Sequence, residues 1–156
     1  MTHGARQWTL EQKVAFLRDA RNYPGPRHNA KVRAIETHFA WVFLVGRYAY
    51  KLKKPMKQGK MEYRRLAARG RGCRQELRLN RRLARSVYHR VLPLTSTSGV
   101  LRVGGGGIVQ DWLLQMRRLD TSRMLDETLA RRTLTHSEII RLTALLARFT
   151  SPGMLS

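Results

Sequence analysis

Between residues 32 and 54 the chain holds three runs rich in β-branched and aromatic residues, 32–38, 41–45 and 48–54, with almost nothing between them. Gly46-Arg47 leaves room only for a tight reversal, so the second and third runs pair antiparallel and the three read as a meander. Alternation along the third run sends Ala49, Lys51 and Lys53 to one face and Tyr48, Tyr50 and Leu52 to the other. One lysine-bearing face therefore looks away from an aromatic one.

Around this meander the pattern changes period. Thr9-Leu-Glu-Gln12 has the form of a capping box, opening a short helix that stops before Tyr23-Pro24. Residues 22–29, with Pro24, Gly25 and Pro26, read as an extended linker. Residues 62–85 are rich in Leu, Ala, Arg and Glu, with Leu66, Cys73, Leu77 and Leu83 on one stripe, which predicts a long helix. Gly70 and Gly72 each cost about 1 kcal/mol relative to Ala inside a helix, so its first half is expected to be irregular. Residues 91–95 and 108–116 read as strands flanking a turn-rich loop, 96–107, and residues 122–131 and 136–150 read as helices. Gly104 to Gly107 lack the pattern of a phosphate loop and are read as a hairpin connection.

Of 156 residues, 31 are Lys or Arg and 10 are Asp or Glu, a formal net charge of +21 that makes acidic partners plausible. The charges are spread without a separate basic tail, and hydrophobic residues at 42% are enough for a core. Cys73 is alone, excluding an internal disulfide and a cysteine metal cluster. The histidines show no metal-binding spacing. The longest apolar run, 39–45, is far short of the roughly 20 residues that span a bilayer. No membrane association and a cytoplasmic location are expected.

Ile35-Glu-Thr-His-Phe-Ala-Trp-Val-Phe-Leu-Val-Gly46 and Tyr48-Ala-Tyr-Lys-Leu-Lys-Lys-Pro55, followed by Cys73-x-x-Glu-Leu-Arg-Leu-Asn-Arg-Arg-Leu-Ala84 and Gln115-Met-Arg-Arg-Leu119, carry a resemblance. Together they resemble the aminoglycoside-phosphotransferase-like kinase family, in the bacterial branch often fused to a C-terminal P-loop ATP-binding domain. The resemblance implies an α+β fold: a protein-kinase-like N-lobe, with a small antiparallel sheet plus one long helix, followed by the first helices of an incomplete C-lobe. On that reading residues 1–30 are an N-terminal helix and linker, 31–119 the N-lobe, and 120–156 the truncated C-lobe.

The resemblance also implies an ATP site. Tyr48-Ala49-Tyr50-Lys51 is similar to the kinase strand whose lysine meets nucleotide phosphates and is held by a helix glutamate, which makes Lys51 the phosphate lysine and Glu76 its partner. Lys53 shares the face of Lys51, so a two-residue shift exchanges their roles. Ala49 is the implied adenine-side contact and Met116 a hinge contact to the base. His38, in the glycine-free turn between the first two strands, is either a phosphate donor or an ordinary surface histidine.

The family's catalytic-loop Asp and its metal-binding Asp motif have no counterpart, so no residue is assigned a catalytic or metal-binding role and the chain is not expected to catalyse alone. Magnesium would accompany ATP only if a C-lobe were supplied. The expected function is thus the N-terminal part of an ATP-dependent phosphotransferase, with nucleotide and a C-lobe-bearing or P-loop ATP-binding protein as partners. The alternative, from charge alone, is a basic nucleic-acid-binding protein using its Arg-rich surface. Nine arginines between Arg64 and Arg85 would serve non-specific binding.

Overall fold

The structure, a computed structural model, describes residues 6–25 and 31–118. Helix α1 (Leu10–Leu17) begins at a capping box: Gln12 N donates to Thr9 Oγ1, and Thr9 N donates to Gln12 Oε1. A single 3-10 turn follows at Ala20–Asn22. Then come β1 (Val32–Glu36), β2 (Ala40–Val45), β3 (Tyr48–Lys53), a small hairpin of β4 (Lys57–Gln58) and β5 (Met61–Glu62), helix α2 (Leu66–Leu83), and strands β6 (Tyr88–Thr97), β7 (Val100–Val103) and β8 (Ile108–Arg117).

Six strands form one antiparallel sheet in the order β1-β2-β3-β8-β6-β7, with the last strand inserted at the centre. The sheet curls into a half-barrel. Its concentration of long strands corrects the expected fold class. An α+β kinase-like N-lobe with a small sheet and C-lobe helices was expected; the described residues are instead mostly β, with two α-helices among them. One physical reason lies in 96–107. Ser98 and Gly99 both take positive φ, 50° and 76°, and close a two-residue hairpin between Thr97 and Val100. That reversal makes β7 a strand paired with the end of β6 and buries Leu101; β6 and β8 run for ten residues each. The helices expected at 122–131 and 136–150, the whole unit 120–156, and residues 26–29 of the expected linker lie outside the described residues.

Both faces of the sheet are covered. Val14, Leu17, Ala20 and Tyr23 lie on one face against Phe43, Tyr50, Leu52, Leu94 and Leu113. On the other, Leu77 of α2 packs on Val42, Leu44, Ala49, Leu114 and Met116. Alternation along β2, β3 and β8 feeds both cores, which is why these strands read as nearly unbroken apolar runs.

Helix α2 is continuous through Gly70 and Gly72, contrary to the irregular first half expected from propensity. A Cβ on Gly70 would stand 2.7 Å from Trp112 Nε1, and one on Gly72 would stand 2.6 Å from Tyr63 Cε1. The two glycines let aromatic rings lie directly on the helix backbone, and that packing compensates their poor propensity. Gly72→Ala is therefore expected to lower stability by about 1–2 kcal/mol, against the gain of about 1 kcal/mol ordinary for Gly→Ala in a helix. Urea denaturation followed by circular dichroism reads the sign directly; a gain would show that Tyr63 moves aside without cost.

Candidate functional site

Strand β3 carries its lysines inward. Lys51 faces α2 from the centre of the sheet, and Lys53 follows one pleat later. Glu76, on the buried side of α2, reaches both. Lys51 Nζ donates to Glu76 Oε1 at 2.9 Å, and Lys53 Nζ donates to Glu76 Oε2 at 2.7 Å. All three are removed from water, at 1%, 2% and 2% exposure for Lys51, Lys53 and Glu76. The three charged groups are held where the dielectric is low and each interaction is strengthened.

The protonation tendencies follow from that confinement. Burial pulls Lys51 below its ordinary 10.5; Glu76 opposes the shift and neighbouring Lys53 adds to it. Burial alone would raise Glu76, but Lys51 and Lys53 overcome it and hold the carboxyl below 4.5. The buried Cys73 thiol is pushed up to about 11 by desolvation, which suits a packing residue better than a nucleophile. Tyr63 borders the cluster: its ring lies 5.1 Å from Lys53 Nζ, and its N–H donates to the Met56 carbonyl, closing the base of the β4–β5 hairpin.

The other expected site residues distribute unevenly. Ala49 and Met116 are cross-strand neighbours in the β3–β8 ladder, on the same face as Lys51, and both are sealed in the α2-side core. His38 is exposed in the β1–β2 turn, its ring packed edge-on against Phe39, with no hydrogen bond or ion pair to the lysines. Lys51 and Lys53, alternatives in the sequence reading, share one carboxylate.

A second buried cluster escaped that reading. Asp111, 1% exposed, accepts from Lys13 Nζ and Arg69 Nε, each at 2.9 Å, and from the backbone N–H of Trp112. Arg69 also donates to the carbonyls of Tyr63 and Arg64. This cluster bridges α1, α2 and β8. Its legible signal was the lone aspartate within the apolar run of β8, since a carboxylate in a buried strand needs a partner.

Among the described residues no group of three or more His, Cys, Asp or Glu is placed to hold a metal ion. No helix among them is long and apolar enough to cross a membrane. Comparison with protein-family models, with curated proteins and with solved structures gives no match.

Proposed function

We propose that this chain supplies a nucleotide phosphate-binding half-site to an ATP-dependent phosphotransferase whose acceptor-activating and metal-binding carboxylates come from elsewhere. The observation that carries the reading is the Lys51–Glu76–Lys53 triad. One carboxylate fixes two ammonium groups side by side, and a pair of positioned lysines is the kind of group that meets phosphate oxygens. The resemblance of the segments around Lys51 and Glu76 to aminoglycoside-phosphotransferase-like sequences supports the same roles. Because both ammonium groups are buried, phosphate reaches them by displacing the Tyr63 ring beside Lys53 or by taking Lys53 away from Glu76.

The test is ATP titration of the intact protein at low and high salt, with Lys51→Met and the exposed-surface variant Arg102→Gln. The expected result is saturable, adenine-selective binding that persists at high salt, disappears in Lys51→Met and survives in Arg102→Gln. Lys51→Met leaves a neutral Glu76–Lys53 pair, and parallel thermal melts separate a lost site from a lost fold. Absence of saturable binding in the intact protein, or equal loss in both variants, overturns the reading.

A further inference from the structure

The outward face of α2 has no assigned use. Its exposed residues are Ala67, Arg71, Arg74, Gln75, Arg78, Arg81 and Arg82, so five of seven are arginine and none is a large apolar residue. Arg71, Arg74, Arg78 and Arg82 recur at intervals of three or four and therefore form one ridge, about 17 Å from end to end at 1.5 Å per residue. Arg74 is stacked over Trp112, 4.5 Å from the ring centroid, which stiffens the middle of the ridge.

Among the described residues the ridge is uncompensated. The described residues contain six carboxylates: Glu11, Asp19, Glu36, Glu62, Glu76 and Asp111. All but Glu11 are in ion pairs, and those pairs engage Lys13, Arg21, Lys51, Lys53, Lys54, Arg64 and Arg69, not a cation of the ridge. The helix's sole acid, Glu76, faces the core. At its C-terminal end the ridge runs into a recess lined by Arg81, Arg82, Arg85, Tyr88 and His89, where Arg81 is fixed by donating to the carbonyls of Tyr88 and His89.

We propose that this arginine ridge is a binding surface for the phosphodiester backbone of nucleic acid. A row of guanidiniums without counter-charges among the described residues matches a polymer carrying one negative charge per roughly 1.7 Å of duplex axis. Guanidinium forks suit phosphate oxygens. A stable protein partner would call for an apolar centre to the patch, and a lipid surface would call for apolar side chains to insert; the exposed face of α2 offers neither.

The experiment is fluorescence anisotropy of the full chain with labelled duplex DNA over a range of salt. Two variants of equal net charge are compared: Arg71→Gln/Arg78→Gln/Arg82→Gln on the ridge, and Arg47→Gln/Lys60→Gln/Arg102→Gln in the β2–β3 turn, the β4–β5 turn and β7. Gln and Arg have similar helix propensities, so the ridge variant keeps α2 intact, which circular dichroism verifies. The ridge variant is expected to bind on the order of 10- to 100-fold more weakly at low salt, with a log–log salt slope shallower by about 2.7, while the other variant keeps the original slope. Equal weakening by both variants, no binding by the intact protein at low salt, or displacement of DNA by polyglutamate as readily as by unlabelled DNA would overturn the assignment. The last outcome would point to an acidic protein instead.

Discussion

Glu76→Gln is expected to lower stability by about 3–5 kcal/mol, a large share of the 5–15 kcal/mol that ordinarily holds a domain together. The reason is asymmetry. Removing Lys51 or Lys53 alone leaves a neutral pair, whereas removing the carboxylate charge leaves two ammonium groups facing each other behind α2. The sign with pH distinguishes this from a packing defect. In the native protein Glu76 is held below its ordinary 4.5, so its stabilisation is complete above that value and is lost as the pH falls through the lowered one. Lys51 is shifted down by burial, so its charged form disfavours the fold, and stability from this group rises as the pH climbs from the lowered value toward 10.5. Without Glu76 the lysine shift deepens, and the variant should recover stability on the alkaline side more steeply than the native protein. Urea midpoints across pH measure this. Replacing all three by apolar residues, Lys51→Met/Lys53→Met/Glu76→Leu, is expected to return stability to within about 1–2 kcal/mol of the native value. A loss under about 1 kcal/mol for Glu76→Gln would mean that water reaches the ammonium groups and that the cluster is not the low-dielectric site described.

The alternation that placed Lys51 and Lys53 together could be read from six residues of β3, because a period of two has a single consequence for side-chain direction. Pairing with Glu76 was reached through the resemblance; the helical stripe containing Cys73 and Leu77 is compatible with it but does not single out that carboxylate. What could not be read were features decided by tertiary contact. Gly70 and Gly72 look like helix breakers until Trp112 and Tyr63, 42 residues ahead of one and nine residues behind the other, are laid against the helix. Ser98-Gly99 is a turn signal, but beside the run Gly104 to Gly107 it was absorbed into one long loop, and β7 was lost with it. That misreading removed the sixth strand from the sheet; the small sheet with C-lobe helices came from the resemblance. Lys54 was read as a strand end and 62–65 as a helix start, with no element between them, so the β4–β5 hairpin went unseen.

Asp111 carries the second large effect. Asp111→Asn leaves Lys13 and Arg69 buried together with their shared carboxylate charge gone, and a loss of about 3–5 kcal/mol is expected. Lys13→Met should cost less, about 1.5–3 kcal/mol for a charge-assisted hydrogen bond, because the Arg69–Asp111 pair survives. Arg69→Met should fall between them, since it also strands the carbonyls of Tyr63 and Arg64. The order has a spatial meaning. Lys13 is the polar tie between α1 and the centre of the sheet, while Val14 and Leu17 supply the apolar contact. With Asp111 neutralised, the remaining cations repel across that junction, and α1 should detach before the sheet unfolds. Tryptophan fluorescence, to which Trp8 beside α1 contributes, would then shift at lower urea than the far-ultraviolet signal of the sheet and α2. Coincident transitions in Asp111→Asn would instead show that α1 and the sheet unfold as one unit, held by the apolar face alone.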